Sequence, residues 1–234
     1  MDERGVTFTV HASGSKGNLY TLTDGTTTLL IDPGLPIAKI RRALNFGLSK
    51  INFALLSHSH ADHSKGASGV LRAGIDLYTG EATIKELGIE GQAMAIKERE
   101  QVTLGTWKVK ALAVPHDVFN LAYLMVSGES KCLYLIDAAF CPYRFRGLTH
   151  VFLGVNYDRD ILIKNIEKGY VDSSLGARIM QNHMSLQTAL AFFKAQDLRK
   201  LREVHLLHAS AQNMDIDKAK DSLQRATGKL VVVH

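Results

Sequence analysis

The sequence is poor in cysteine and has no uninterrupted apolar run long enough to cross a membrane, and each absence excludes a class of protein. Its 234 residues include two cysteines, whereas small disulfide-stabilised scaffolds are rich in them. Cys132 lies in an apolar, strand-like pattern, which favours a buried free thiol. A membrane-spanning helix needs about 20 consecutive apolar residues, so we expect no membrane span. The charged first residues do not resemble a signal peptide, and with the few cysteines they predict a cytoplasmic location.

Proline, tryptophan and excess charge are also scarce. The four prolines form no Pro-rich linker, and no low-complexity segment or repeat is evident, so we expect one domain over residues 1–234. The single tryptophan, Trp107, is expected to pack in a strand rather than to stack on a base. The chain carries 28 basic and 23 acidic residues, a net charge of +5. Because the basic residues are scattered, this excess indicates a nucleic-acid partner only weakly, and solvated surface residues explain it equally well.

Apolar periodicity and turn residues predict an α/β protein with two strand-rich halves, each followed by helices. Such halves favour two sheets packed together with helices outside. The predicted strands are Val6–Val10, Leu19–Thr23, Thr27–Ile31, Phe53–Leu56, Leu77–Thr79, Lys108–Val114, Leu121–Val126, Leu133–Ile136, Val151–Val155, Val204–Leu207 and Leu230–Val233. The predicted helices are Ile37–Leu44, His63–Arg72, Glu81–Leu87, Asp160–Lys168, Ser185–Ala195 and Asp215–Arg225.

The densest chemical signal is a cluster of three histidines and one aspartate directly after the predicted strand Phe53–Leu56. Imidazole nitrogen and carboxylate oxygen are preferred ligands of zinc and similar divalent metals. In layered α/β proteins, sites form on loops at the carboxyl ends of strands. A His-rich surface loop is the alternative interpretation, but it explains neither the internal position nor the aspartate. The cluster consists of His58, His60, Asp62 and His63.

Three more polar residues, His116, Asp137 and His208, each follow a predicted strand. Taken singly, a strand-end histidine or aspartate is usually a cap or a solvated turn residue. Their recurrence at strand ends favours ligands instead, because a buried charge is costly unless it is paired or metal-bound. His205 competes with His208 for the last position. The apolar pair Leu206-Leu207 directly before His208 favours the latter.

The run His-x-His-x-Asp-His and the later single ligands resemble the metallo-β-lactamase superfamily over nearly the whole chain. The resemblance implies a four-layer αββα sandwich in which two mixed sheets lie between layers of helices. It also implies two divalent metal ions, zinc or manganese. By the same resemblance, His58, His60 and His116 hold one metal, Asp62, His63 and His208 hold the second, and Asp137 bridges them.

Further elements are similar to the subgroup that contains the bacterial WalJ/YycJ proteins. The loop at residues 12–18 resembles the N-terminal Ser-Gly-Ser-x-Gly-Asn element of that subgroup, and its Ser13, Ser15 and Asn18 offer groups suited to phosphate; a tight Gly/Ser hairpin is the alternative. By analogy with related tRNA-maturing ribonucleases, His183 is the general acid or binds the scissile phosphate, and Asn156 orients it. The alternative for His183 is a loop histidine beside the helix that Ser185 caps.

The function that these resemblances imply is a two-metal phosphodiesterase, an exonuclease on nucleic-acid ends, in which Asp62 orients a hydroxide held between the metals. Only 70 residues separate Asp137 from His208, which leaves no room for the inserted domain of β-CASP enzymes. Asp137 also argues against a β-lactamase. Hydrolysis of a small ester, lactone, thioester or cyclic nucleotide on the same metals is the alternative. A non-catalytic regulatory protein is disfavoured, because inactive relatives usually lose some ligands.

Overall fold

The computed structural model describes residues 5–209 and 212–234, and the chain divides into two compact units. The first unit comprises Met1–Ala113 and Val118–Ser130, and the second comprises Val114–Asp117 and Lys131–His234. Within the described residues, thirteen strands form two sheets of six and seven strands. The prediction of one domain over residues 1–234 stays a prediction.

The first unit contains the whole six-stranded sheet, in which β1, β2 and β3 pair antiparallel and β3 to β6 pair parallel, in the order β1-β2-β3-β4-β5-β6. The six strands of this sheet are β1 (Thr7–Ala12), β2 (Leu19–Thr23), β3 (Thr28–Ile31), β4 (Phe53–Leu55), β5 (Asp76–Thr79) and β6 (Met94–Ala95). The first unit also contains three strands of the seven-stranded sheet, which are β7 (Gln101–Leu104), β8 (Trp107–Val114) and β9 (Asn120–Ser127). Its helices are α1 (Ile37–Ala43), α2 (Ala61–Ser64), α3 (Ala67–Arg72) and α4 (Glu81–Leu87), with a short 3-10 turn at Leu48–Lys50.

The core of the first unit holds the end of β4 in place. Ile40, Val70 and Ile84 from α1, α3 and α4 pack in one apolar cluster with β3, β4 and β5. Two residues of β9 bond to the chain after β4. The hydroxyl of Tyr123 donates to the carbonyl oxygen of Leu56 at 2.7 Å, and the backbone amide of Leu121 donates to the carbonyl oxygen of Ser57 at 3.0 Å. These bonds fix the backbone directly before the histidine cluster.

Trp107 is fully buried in β8, and its Nε1 donates to the carbonyl oxygen of Thr27 at 3.1 Å. The expectation that Trp107 packs in a strand is therefore confirmed. We predict that Trp107→Ala lowers the free energy of unfolding by about 3–5 kcal/mol, because it leaves a large cavity. Trp107→Phe keeps most of the packing and should cost clearly less. Urea unfolding followed by circular dichroism measures both, and equal stability of Trp107→Ala and wild type would contradict the prediction.

The second unit is built on four parallel strands in the order β13-β12-β11-β10. β11 is buried along its whole length, as expected for a parallel strand covered on both faces. The carboxyl ends of parallel strands lie at one edge of a sheet, so the residues after β10, β11 and β12 share that edge. The elements are β10 (Ser130–Leu135), β11 (His150–Gly154), β12 (Glu203–Leu207), β13 (Leu230–Val233), α5 (Arg159–Glu167), α6 (Ser173–Asn182), α7 (Leu186–Lys194) and α8 (Ile216–Thr227).

Most predicted elements are present with bounds shifted by one or two residues, but the helix predicted over His63–Arg72 is wrong. The chain forms two helices there, α2 and α3, separated by Lys65 and Gly66. The break has a tertiary cause: the amide of Gly66 donates to Pro33 O at 2.7 Å, and a Cβ on Gly66 would lie 2.4 Å from Leu35 O.

The sequence prediction missed β6, β7 and α6. The helix α6 begins at Ser173, and the side chain of its N-cap residue, Asp172, accepts from the amides of Ser174 and Leu175, which is a recognisable capping pattern. Gly176 weakens the helical pattern, yet a Cβ there would lie 2.3 Å from Ile166 Cδ1 of α5. Gly176 therefore serves the close packing of α5 on α6. In the part of the chain described here, no helix is long and apolar enough to cross a membrane.

Candidate metal centre

The first set of candidate ligands lies in the first unit, on the loop after β4 and the first turn of α2. His58 and His63 are buried, whereas His60 and Asp62 are partly exposed. The amide of His63 donates to the carbonyl oxygen of His60 at 2.9 Å, so the loop turns directly into the helix. All four clustered ligands predicted from the sequence are therefore presented by one short, hydrogen-bonded segment.

Asp32, at the end of β3, orients this segment. Its Oδ1 accepts from the amide of Ser57 at 2.7 Å, and its Oδ2 accepts from the hydroxyl of Ser57 at 2.8 Å and from Nδ1 of His63 at 2.7 Å. Because the Ser57 hydroxyl donates to Asp32, it accepts from Nδ1 of His58, 2.9 Å away. Nδ1 thus carries the proton in His58 and His63, and each Nε2 keeps its lone pair, as a metal ligand requires.

The geometry within this segment fits a divalent metal. His58 Nε2 lies 3.2 Å from His60 Nδ1. Two nitrogens that each lie about 2.0–2.1 Å from a tetrahedral zinc ion are about 3.3 Å apart. The donor atoms of His58 and His60 therefore already have the separation of two ligands on one ion.

Asn18 contacts the same ligands from the predicted phosphate-binding loop. Its Nδ2 lies 3.0 Å from His63 Nε2 and 3.2 Å from the carbonyl oxygen of Asp62, and its amide donates to that oxygen at 2.7 Å. Asn18 is fully buried, while Ser15 is exposed and Ser13 Oγ accepts from Tyr20 OH at 3.1 Å. Asn18 thus positions Asp62 and His63. Substrate binding by Ser13, Ser15 and Asn18 stays a prediction.

We predict that Asp32→Ala weakens metal binding by about 10- to 100-fold, the usual effect of losing a hydrogen-bond partner of a metal-ligating histidine. The variant leaves His63 Nδ1 and two donors of Ser57 without their acceptor, so stability should also fall. Competition with a chromophoric zinc chelator measures the affinity. Asp76→Ala, at the exposed start of β5, is the matched control. Unchanged zinc affinity in Asp32→Ala would contradict the role.

The second set of candidate ligands lies in the second unit and includes His116. Its Nδ1 donates to the carbonyl oxygen of Asn182 at 3.0 Å. Burial holds the pKa of His116 below its ordinary value, against the opposing effect of that carbonyl. The imidazole is thus kept in the neutral form that binds metals. Next to it, Asp117 lies 3.1 Å from His116 Nε2 and 3.0 Å from Nη2 of Arg178.

Asp137 and His208 both adopt the left-handed conformation, with φ of 45° and 52°. This conformation is uncommon for residues other than glycine, and the residues that adopt it concentrate at functional sites. His208 Nε2 lies 3.9 Å from one oxygen of Asp137, and His183 Nδ1 lies 3.4 Å from the other. Buried Asn156 places its Nδ2 3.1 Å from His208 Nδ1 and 3.4 Å from Asp137 Oδ1. Asn156 and His183 therefore lie directly against two predicted metal ligands.

The choice between His208 and His205 follows from their neighbours. His205 lies within β12, where Nδ1 is 2.9 Å from His234 Nε2 and Nε2 is 3.2 Å from Glu203. His208 follows the strand and lies beside Asp137. The structure thus brings His208, and not His205, to the carboxyl edge where Asp137 lies.

Two residues that support the ligands were missed by sequence reasoning. Asp32 directly follows the predicted strand Thr27–Ile31, and a strand-end aspartate is the same signal that identified Asp137. The carbonyl of Asn182, which accepts from His116, has no sequence signal, since every residue carries a carbonyl.

Comparison with known sequences places this arrangement among characterised families. Residues 13–149 match the family model described as the metallo-beta-lactamase superfamily. The chain is 27% identical over 232 residues to exodeoxyribonuclease WalJ of Streptococcus pneumoniae serotype 2, an alignment that covers 91% of this chain and 85% of that protein. It is 24% identical over 236 residues to exodeoxyribonuclease YycJ of Bacillus anthracis, with 94% and 89% covered.

Solved structures agree on the fold. The metallo-beta-lactamase fold protein YhfI from Bacillus subtilis matches with a TM-score of 0.74 and 17% identity, covering 98% of this chain and 97% of that one. The short form of human tRNase Z matches with a TM-score of 0.65 and 14% identity, covering 97% and 95%. At these identities the likeness shows the fold alone, and it confirms the predicted αββα class.

Proposed function

This chain belongs to the metallo-β-lactamase superfamily, and from that premise we propose that it is a dinuclear metal-dependent phosphodiesterase, an exonuclease on nucleic-acid ends. The observation that carries the proposal is the setting of three histidines: Nδ1 of His58, His63 and His116 lies 2.9, 2.7 and 3.0 Å from a protein oxygen, which is the usual surrounding of metal-ligating histidines. The names of the WalJ and YycJ relatives, which align over most of their length, support the exonuclease part.

The proposed ligands divide into two groups around two divalent ions, zinc or manganese. Bound there, the ions supply Lewis acidity and lower the pKa of a water molecule. Three imidazoles, or two imidazoles and a carboxylate, suit either metal. The first ion is assigned to His58, His60 and His116, the second to Asp62, His63 and His208, and Asp137 is assigned to both.

The residues around the ligands have distinct proposed roles. Asp62 orients the attacking water, whose oxygen forms the new bond to phosphorus. His183 donates a proton to the departing oxygen as the old P–O bond breaks, and Asp137, 3.4 Å from its Nδ1, holds the ring in place. Asn156 positions Asp137 and His208, and Ser13 and Ser15 offer hydroxyls to phosphate. A nucleic-acid substrate and a cytoplasmic location complete the proposal.

Cleavage of end-labelled oligonucleotides tests this function. We expect the protein loaded with Mn²⁺ or Zn²⁺ to shorten single-stranded DNA or RNA from an end. EDTA should abolish the activity and the metal should restore it, because removing the ions removes the Lewis acid. Double-stranded oligonucleotides, a thioester and a lactone serve as comparison substrates. If every oligonucleotide stays intact while a thioester or lactone is hydrolysed, the small-substrate alternative is correct and the nuclease proposal is wrong.

A further inference from the structure

A small cavity in the second unit lies between the chain segment after Asp137 and helix α7. It has a volume of about 280 Å³, at the small end of the range of about 300–1,000 Å³ for small-molecule sites. That volume is sufficient for one aromatic base. One wall is the segment Phe140–Arg144, and the other is the face of α7 that carries Thr188, Ala191 and Ala195.

Hydrogen bonds within the second unit hold the walls of this cavity in place. Gln196, just beyond α7, accepts from the amide of Phe145 at 2.7 Å through Oε1, and its Nε2 donates to the carbonyl oxygen of Tyr143 at 3.4 Å. At the other end of the segment, the amide of Ala139 donates to Pro115 O at 2.9 Å. Ala191 and Ala195 lie four residues apart, on one face of the helix, and their small side chains keep the cavity open. The binding surface is therefore preformed.

Aromatic and positively charged groups line the entrance. The Phe140 side chain is 50% exposed, an unusual position for a large apolar ring, and Tyr143 is half-buried nearby in the same segment. Among the described lining residues, Arg144 carries the one charge, and it is exposed. Burial raises the pKa of the Cys141 thiol to about 11, so Cys141 adds no negative charge to this wall at neutral pH. Such a surface attracts a base and a phosphate and repels no anion.

Both walls lead away from residues of the proposed active site. Phe140 is three residues after Asp137, and α7 follows His183, with Ser185 as its N-cap. The contact of 3.4 Å between His183 and Asp137 joins the two segments at their origin. At about 1.5 Å of rise per residue, Thr188 and Ala195 lie about 3 Å and about 14 Å along α7 from its start at Leu186. Both cavity walls are therefore connected over a few residues of chain to His183 and Asp137.

We propose that this cavity binds one unstacked base of a single-stranded nucleic-acid substrate, stacked on Phe140 and Tyr143, with Arg144 on an adjacent phosphate. The proposal rests on the proposed phosphodiesterase function and adds the substrate class, an unpaired strand end. A base of a duplex enters at a greater cost, because it must first lose its pairing and stacking.

The test measures binding of fluorescein-labelled single-stranded DNA by the full-length, metal-loaded protein carrying His183→Ala, which slows cleavage. Fluorescence anisotropy compares the normal oligonucleotide with versions that carry an abasic nucleotide at each of the three terminal positions. We expect one abasic position to weaken binding by about 5- to 150-fold. Phe140→Ala should weaken binding by a similar factor and abolish that abasic effect, because both changes remove the same contact. Phe140→Trp should retain the abasic effect, because tryptophan also stacks on a base.

Two further variants separate the base site from general effects. Phe46→Ala, at a phenylalanine 76% exposed after α1, should keep both the affinity and the abasic effect. Arg144→Ala should reduce the slope of log affinity against log salt by about 0.7, the value for one phosphate contact on a single strand. Arg225→Ala, on exposed α8, is its control and should leave the slope unchanged.

The outcomes distinguish this proposal from the function on which it rests. A full abasic effect in Phe140→Ala, or no abasic effect at any position in the parent protein, overturns the base site even if strand ends are degraded. Intact strand ends with the wild-type protein overturn the exonuclease function, and the abasic effect on binding still decides the base site. Failure to bind any single strand overturns the base site, and degradation of duplex ends by the wild-type protein then decides the exonuclease function.

Discussion

Asp62→Ala is expected to reduce hydrolysis by about 10³-fold or more and to lower the metal content from two ions to one. Asp62 is assigned both a ligand role and the orientation of the attacking water. Lewis-acid stabilisation is worth several kcal/mol, and each 1.4 kcal/mol or so is a factor of ten in rate. Removing the carboxylate therefore affects binding of the second ion and the chemical step together. The measurement is kcat/KM on the best oligonucleotide substrate, with metal content determined by inductively coupled plasma mass spectrometry.

The control for Asp62→Ala must separate loss of the metal from loss of the fold. Asp62 contacts buried Asn18, whose amide donates to the Asp62 carbonyl oxygen, and this backbone bond survives the substitution. Circular dichroism and urea unfolding should therefore change little. Asp221→Ala, at an exposed aspartate of α8, should keep both ions and full activity. A fully active Asp62→Ala protein with two ions would show that the ligand assignment is wrong.

His183→Ala is expected to lower kcat by about 10²- to 10⁴-fold, the usual contribution of a general acid, while both metal ions stay bound. His183 follows α6 and lies 3.4 Å from Asp137, with its side chain 25% exposed, so its ring can reach both the site and solvent. KM should change much less than kcat, because proton donation acts in the transition state. Steady-state kinetics on an oligonucleotide and metal analysis of the same preparation measure the two effects.

A change of leaving group shows whether His183 donates a proton. A p-nitrophenyl phosphodiester releases a stable anion that needs no proton, so His183→Ala should cost far less on it than on an oligonucleotide. Ser185→Ala removes the hydroxyl that caps α7 and should cost about 1 kcal/mol of stability with little loss of kcat. Equal losses on both substrates would indicate that His183 binds the phosphate or supports the loop instead.

Local sequence signals predicted most secondary structure because short-range chemistry controls it. The bounds of β2, α4 and β13 agree with the sequence prediction. Turn residues such as Gly25, after β2, and Gly88, after α4, end the regular structure at those points. The errors occur where distant backbone approaches closely. Gly66 separates α2 from α3 because it contacts Pro33 and Leu35, and Gly176 is tolerated in α6 because it lies against Ile166 of α5.

By itself the sequence determined the set of candidate metal ligands, because residue identity and spacing, as in His58, His60, Asp62 and His63, are local properties of the chain. Only the tertiary structure decided how those ligands are oriented. Asp32 is 31 residues from His63, and the Asn182 carbonyl is 66 residues from His116. Hydrogen bonds over such separations depend on which strands and helices pack together, and a carboxylate or carbonyl has no pattern in the sequence that identifies its partner. The protonation of each ring, and with it the nitrogen left for a metal, is therefore a product of the fold.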